Sequence, residues 1–143
     1  MFRDILVALD QSPTAQRALA EATELAEALN SRLTIISIVP PIPSFAYRAG
    51  IDVGALEQEA EKETDKLLRE AVAGLPEGLP VTTVLKHGHP GEEIAKQIEA
   101  GDHDLVVMGS RGLGRVTANL FGTVGGYVHF HSRIAMLVVH PDQ

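Results

Sequence analysis

LVVMGSRGLGRVTANLFGTVGG, residues 105 to 126, joins a hydrophobic strand-like run to a cluster of six glycines. The glycines stand at positions 109, 112, 114, 122, 125 and 126. Glycine weakens helices and strands, but it lets backbone amides approach an anion without a side chain in the way. By these general rules the stretch predicts either a phosphate-binding loop or a purely structural glycine loop.

On either side of this stretch, short β-like runs alternate with helical patterns. The five runs cover residues 5–9, 33–39, 81–85, 105–108 and 136–139. Several are almost continuously apolar, which is typical of strands covered on both faces in a parallel sheet. The alternation predicts a doubly wound α/β fold in a single domain over residues 1–143, with a five-stranded parallel sheet and four helices.

The sequence signals that predict the four helices differ from one helix to the next. The first begins at Ser12, a good N-cap that precedes Pro13. The second covers about residues 53–72, and its predicted inward positions are Leu56, Ala60, Leu67, Leu68 and Ala71. The third opens at Pro90, and the fourth follows Gly122. Residues 40–50, with three prolines, predict a loop that is either a lid or partner contact or an ordinary surface connection.

Composition narrows the classes of function. A net charge of −7 argues against general nucleic-acid binding, which needs a basic face. No apolar run approaches the roughly 20 residues of a membrane helix, and the N-terminus lacks a signal-peptide layout. The chain has no cysteine, which excludes disulfides and thiol chemistry. We therefore expect a cytoplasmic protein without membrane or nucleic-acid partners.

Widespread catalytic and phosphate-binding motifs are missing from the sequence. There is no P-loop, and Gly112-x-Gly114 lacks the third glycine of the dinucleotide fingerprint and follows the fourth strand, not the first. There is no serine nucleophile elbow and no carboxylate pair placed for acid–base catalysis. We interpret Ser110 as a phosphate-loop or turn residue, and we expect no catalytic residues.

Two histidine pairs invite a metal interpretation. His87 and His89 share a face if they lie on a strand, but no cysteine or acidic cluster joins them. His129 and His131 fall on or after the fourth helix, where positions two apart do not face each other. The sequence does not favour a histidine metal site, and His89 is expected at the mouth of a ligand crevice.

The glycine stretch resembles the phosphate loop of nucleotide-binding universal stress proteins. The spacing is Gly109, two residues, Gly112, nine residues and Gly122-Thr123, which matches the pattern G-2x-G-9x-G-S/T of that family. The opening ILVALDQS, residues 5–12, is similar to the same family, as is Gly88-His89-Pro90. The resemblance covers essentially the whole chain, and it implies a Rossmann-like fold of the adenine nucleotide alpha hydrolase type.

The resemblance also implies a ligand and a site. The ligand would be ATP, or ADP or AMP, with or without magnesium, between strands one and four. Asp10 would meet the ribose or the magnesium ion, and Ile38 would line the adenine pocket. Met108 and Gly109 would lie beside the ribose and phosphates. The phosphates would be held by Arg111, Gly112, Gly122, Thr123, Val124 and Gly125. From the residues alone, Asp10 also fits a helix-cap or turn role.

Two departures from the family pattern bear on function. Gly125 stands where members often carry Ser or Thr, so a hydroxyl bond to phosphate worth about 1.5–3 kcal/mol is lost. Residues 131–135, HSRIA, replace the family's small, proline-rich turn before the last strand, which commonly forms a homodimer contact. The resemblance implies a nucleotide-dependent regulatory module of the stress response that could also act on a protein partner. Two alternatives stay open: an interaction-only dimer without nucleotide, and a weak magnesium-dependent ATPase.

Overall fold

A parallel five-stranded sheet with helices on both faces forms the protein in the computed structural model, which describes residues 1–110 and 123–141. The strands are β1 (Asp4–Ala8), β2 (Arg32–Val39), β3 (Val81–His87), β4 (Leu105–Gly109) and β5 (Ala135–Val139). The helices are α1 (Pro13–Leu29), α2 (Ser44–Arg48), α3 (Val53–Ala73), α4 (Pro90–Ala100) and α5 (Thr123–His131). The predicted α/β class and five-stranded parallel sheet are confirmed.

The strand order in the sheet is β3-β2-β1-β4-β5. Val7 of β1 lies opposite Ile35 of β2 on one side and Val107 of β4 on the other. The chain therefore builds outward from β1 through β2 to β3, then returns to the middle and continues through β4 to β5. The direction of winding reverses between β1 and β4, and open α/β sheets bind ligands at that point, beyond the carboxyl ends of the strands.

Two apolar layers cover the sheet, one on each face. Ile5, Val7 and Leu9 point toward α1 and α3, whereas Leu6 and Ala8 point toward α4 and α5. This alternation follows from the two-residue period of a strand, and it explains why β1, β2 and β4 are buried at nearly every position. The edge strands β3 and β5 are only partly buried.

The start of α1 is determined locally. The Ser12 hydroxyl accepts a hydrogen bond from the Ala15 N–H at 3.2 Å, and Pro13 stands at the first helical position, where a missing N–H costs nothing. The helix ends at Asn30, whose φ of 55° is in the left-handed region. The start of α1 agrees with the pattern read from the sequence.

Two details of the predicted helices are wrong. The described residues form five helices, not four, because α2 lies inside the predicted loop at residues 40–50. The carbonyl of Pro43 accepts from the Ala46 N–H at 3.0 Å, and Ala46 is buried, so the end of the proline cluster starts a short turn of helix. Leu56 of α3, predicted to face inward, is 40% exposed, because the first turns of α3 lie largely in solvent.

Among the described residues, no helix combines the length and the apolar character needed to cross a membrane.

Candidate functional site

The candidate site lies at the carboxyl ends of β1 and β4, where the strand order reverses. Val7 pairs with Val107, so the residues that follow each strand emerge side by side at the same edge. Asp10 lies two residues after the end of β1, and Gly109 is the last residue of β4. The N-termini of α4 and α5 open onto this edge too, and their backbone amides and dipoles attract anions.

Asp10 has a structural role at this edge. Its Oδ1 accepts a hydrogen bond from the Ser12 N–H at 2.8 Å, and its carbonyl oxygen accepts one from Gln16 Nε2 at 3.4 Å. An aspartate bonded to the amide two residues on forms a turn that leads the chain into its N-cap. The turn role expected from the residues alone is therefore present. Since the turn uses Oδ1 and the side chain is only half-buried, it leaves the carboxylate compatible with a ligand at Oδ2.

Gly109 is a glycine for a reason that needs no ligand. A Cβ atom placed there would lie 2.8 Å from the Thr14 hydroxyl oxygen and 2.9 Å from the Thr14 carbonyl carbon. A Cβ atom essentially never lies this close to a non-bonded atom, so a side chain at 109 would push the first turn of α1 away from β4. The sequence pattern missed Thr14. Only the place of Thr14 in the first turn of the helix after β1 could have indicated this contact, since that helix must cross the switch point.

The backbone N–H of Ser110 belongs to the sheet. It donates to the carbonyl oxygen of Val139 at 2.8 Å, and the residue is buried. Ser110 therefore extends the pairing of β4 with β5, and its amide already has a hydrogen-bond acceptor within the sheet. The Ser110 amide is therefore not available to a phosphate, and the interpretation of the residue as part of a phosphate loop or turn stays a prediction.

Ile38 and Met108 lie beneath the edge. Ile38 is 6% exposed and Met108 is 3% exposed, and both pack in the apolar cluster that also contains Val124 of α5. Because both side chains are buried, they can form the apolar floor beneath a ligand, but each exposes little surface that the ligand could contact directly. The fold thus brings together residues from β2, β4 and α5 that the sequence had separated by up to 86 positions, from 38 to 124.

The start of α5 is described, and the loop before it is not. Thr123 is exposed as the first residue of α5, whereas Val124 and Gly125 are buried. Arg111, Gly112 and Gly122 lie outside the described residues. Beside Thr123, a cavity of about 330 Å³ is lined by residues at the starts of α4 and α5. Its lining residues are His89, Pro90, Gly91, Glu92, Thr123, Val124 and Tyr127.

The four histidines of interest go to different surroundings. His89 directly precedes α4 and lines this cavity, and its place at the mouth of a ligand crevice stays a prediction. Nε2 of His87 lies 3.2 Å from the Glu61 carboxylate, at the surface. His131 stacks on Tyr127, with 3.8 Å between ring centroids, and His129 contacts Phe130 edge to face. Within residues 1–110 and 123–141, no three His, Cys, Asp or Glu side chains converge as a metal cluster.

The described residues fit an adenine nucleotide in part. A half-buried carboxylate with one oxygen outside its turn suits magnesium, which commonly binds through one or two carboxylates, phosphate oxygens and water. An apolar floor suits a base, and a helix N-terminus suits a phosphate. The edge offers all three features.

Curated relatives match the chain over nearly its full length. Universal stress protein Sll1388 from Synechocystis is 31% identical over 150 residues, covering 96% of this chain and 97% of the relative. A universal stress protein from Thermus aquaticus is 34% identical over 125 residues, covering 86% of this chain and 88% of the relative.

Solved structures share the fold. Universal stress protein UspA from Lactobacillus plantarum superposes with a TM-score of 0.78 at 21% identity, covering 96% of this chain and 97% of the other. A universal stress protein in complex with cAMP gives 0.63 at 24% identity, covering 97% of each chain. An Arabidopsis thaliana family protein with AMP bound gives 0.71 at 18% identity, covering 98% of this chain and 92% of the other. At these identities the likeness establishes the fold alone.

The family is established by a third comparison, with whole-family sequence patterns. The pattern described as the universal stress protein family matches residues 1–140. The length of the relatives and their identity agree with that match. The chain belongs to the universal stress protein family.

Proposed function

We propose that the protein binds an adenine nucleotide at the β1/β4 edge and works as a nucleotide-dependent regulatory module of the stress response in the cytoplasm. The observation that carries the proposal is the switch point itself, where Asp10, the apolar floor and the start of α5 meet at one edge. Two solved members of the same fold, one with AMP and one with cAMP, support an adenine nucleotide as the ligand class.

In this proposal each residue has one task. Ile38 supports the adenine, and Met108 and Gly109 lie under the ribose and phosphates. Asp10 binds the ribose or a magnesium ion on the phosphates of ATP. The phosphates are held by backbone amides and one guanidinium, from Arg111, Gly112, Gly122, Thr123, Val124 and Gly125. Arginine suits this task because its planar fork donates two bonds to a phosphate.

The first experiment identifies the nucleotide that accompanies the purified protein. Denaturing a fresh preparation and separating the released small molecules should yield close to one adenine nucleotide per subunit. Calorimetric titration with ATP, ADP, AMP and cAMP, with and without magnesium, then ranks them. No released nucleotide together with no heat at millimolar ATP and magnesium would refute the proposal.

Asp10→Asn separates the ligand role of Asp10 from its turn role. The amide oxygen of asparagine can still accept from the Ser12 N–H, so the turn persists while the charge is lost. We expect binding of magnesium–ATP to weaken at least about tenfold, because a charged contact is worth about 1.5–3 kcal/mol, while AMP binding changes less. Ser12→Ala is the control, since it removes the cap of α1 and leaves the carboxylate. Equal weakening by both variants would show a structural effect only.

Glycine variants should avoid position 109. Gly109→Val would disturb α1 whether or not a nucleotide binds, because Thr14 is in contact there. Gly112→Val and Gly122→Val are the better tests, and we expect both to abolish nucleotide binding by placing side chains where phosphates would lie. Nucleotide binding unchanged in both would move the nucleotide site away from the glycine stretch. No nucleotide binding in the parent protein, with folding and dimer formation unchanged in both variants, would favour the interaction-only dimer, for which Gly125, lacking a phosphate-binding hydroxyl, is the specific observation.

The weak ATPase is a second candidate, and Asp10 is its motive. A carboxylate that holds magnesium on ATP supplies part of what hydrolysis needs. Phosphate release measured with magnesium should then be slow and should disappear in Asp10→Asn. Release that persists in the variant would mean a contaminating enzyme.

A further inference from the structure

A long groove runs between α1 and α3, on the outer surface of the sheet's first face. It consists of three cavities of about 400, 460 and 380 Å³. The first two share Gln16 and Glu70 in their linings, and the second and third share Pro76, so the three cavities adjoin one another in a row. α1 has 17 residues, which at 1.5 Å each makes the groove about 25 Å long.

The floor of the groove is apolar. Leu19 is buried at its centre, and Leu67, Ala71 and Leu75 are half-buried along its length. Ala20 of α1 lies exposed beside them. Small side chains at 20 and 71 keep the two helices from filling the seam between them, so that apolar surface remains open to solvent.

The rim of the groove is acidic. Five glutamates and one lysine line the three cavities: Glu24, Glu27, Glu63, Glu70, Glu77 and Lys66. Nζ of Lys66 lies 3.8 Å from the Glu70 carboxylate, so the lysine is occupied with one of the five. The groove therefore presents an apolar strip between two rows of negative charge.

We propose that this groove binds a basic amphipathic helix of a partner protein. A seam between two packed helices accepts a third helix, and 25 Å corresponds to a helix of about 17 residues. The apolar stripe of such a helix would cover Leu19, Leu67 and Ala71. Its lysines and arginines would meet the glutamates, an arrangement that gives both specificity and fast association.

The charges favour this occupant over others. A second copy of the chain docking face to face would place glutamates opposite glutamates, which costs binding energy. Nucleic acids and anionic membranes carry the same sign as the rim. The groove also begins next to the candidate nucleotide site, since Gln16 lines it and donates to the Asp10 carbonyl oxygen. Binding of the helix does not depend on the proposed nucleotide site.

Three synthetic 18-residue peptides test the proposal against the full-length protein. The first has a leucine stripe at helical spacing and lysines on both flanks. The second has the same composition with the stripe scrambled, and the third replaces every lysine with glutamate. Fluorescence anisotropy at physiological salt should show saturable binding of the first peptide only. No binding of the striped peptide at millimolar concentration, or equal binding of the scrambled one, would overturn the proposal.

Charge-reversal variants locate the site. Glu24→Lys combined with Glu70→Lys should weaken binding of the striped peptide at least about tenfold. Glu99→Lys combined with Asp102→Lys changes the net charge equally at exposed positions outside the groove, and it should weaken binding less than about threefold, by long-range attraction alone. An equal loss of peptide affinity in both double variants would show that only the net charge matters, and it would refute the groove as the binding site. Circular dichroism melts confirm that both variants fold.

NMR chemical-shift mapping locates the peptide on the protein surface, which a change in net charge alone does not determine. On addition of the striped peptide, shifts should concentrate on the backbone amides of Ala20 and Ala71 and their neighbours. Shifts centred on α4 and α5 would contradict the proposal.

Discussion

Single residues at the two ends of the sheet carry structural tasks that the sequence alone does not reveal. At the carboxyl end, Gly109 makes room for Thr14. At the amino end, the carboxylate of Asp4 accepts from the Thr34 hydroxyl at 3.1 Å and from His103 Nδ1 at 3.0 Å. Both ends are therefore held by polar or steric contacts between residues far apart in the chain.

Gly109→Ala tests whether the glycine is structural. We expect the free energy of unfolding to fall by about 1–3 kcal/mol, because the new Cβ would displace the first turn of α1 from β4. Urea denaturation without nucleotide measures it. Unchanged stability would mean that α1 adjusts at no cost, and the glycine would then serve the ligand alone.

Asp4→Ala tests the network at the amino end. The variant would leave the buried His103 and Thr34 donors without their acceptor, so we expect a loss of about 2–3 kcal/mol in unfolding free energy. Asp65→Ala, which removes an exposed carboxylate bonded to Arg69, should cost less than about 0.5 kcal/mol. Since the network lies at the opposite edge from the candidate site, nucleotide affinity should not change in either variant.

Elements meet closely where glycine permits it, and the contact of α4 with α5 is the clearest case. A Cβ on Gly91 would lie 3.0 Å from Tyr127 Cβ, so the first turn of α4 rests directly on α5. A Cβ on Gly126 of α5 would instead point into open space, with no neighbouring atom within 4 Å. Both glycines lie within helices, but a side chain would collide with Tyr127 at position 91 and would meet no atom at position 126.

Gly91→Ala and Gly126→Ala should therefore shift stability in opposite directions. We expect Gly91→Ala to lower the free energy of unfolding by about 1–3 kcal/mol by forcing α4 and α5 apart. Gly126→Ala should raise it by about 0.4–1 kcal/mol, because alanine favours the helix and restricts the unfolded chain. Thermal and urea denaturation compare the pair. The same sign for both would contradict the packing described for α4 and α5.

At the scale of the whole molecule, the strand order decides which surfaces are available. β1 is central and buried, whereas β5 pairs with β4 and, among the described strands, with no other. Leu137 of β5 is 39% exposed. An edge strand with exposed apolar side chains can pair with a second chain, which supports the proposal of a homodimer through the last strand.

Leu137→Lys tests that homodimer. We expect a shift from dimer to monomer in sedimentation equilibrium, because a lysine on an edge strand opposes pairing with another edge. Thr82→Lys, on the exposed edge strand β3, is the matched control and should leave the dimer intact. A dimer that survives Leu137→Lys would move the interface elsewhere.

The sequence by itself determined the elements and the class of fold. Continuous apolar runs marked the strands, Ser12 and Pro13 marked the start of α1, and Gly109 with Thr123 marked the edge where a ligand is expected. Each of these signals is local, since it depends on side chains a few residues apart. The sequence did not predict helix α2, because its five residues are too few to show a helical period. It depends on the hydrogen bond to the Pro43 carbonyl and on the burial of Ala46.

Only the tertiary structure decided which distant residues touch. It paired Gly109 with Thr14, Asp4 with His103 and Gly91 with Tyr127, and it opened the acidic groove between α1 and α3. It also assigned the Ser110 amide to β5. The physical reason is that these contacts follow from the order of strands in the sheet and from close packing between layers, and both depend on the whole chain at once.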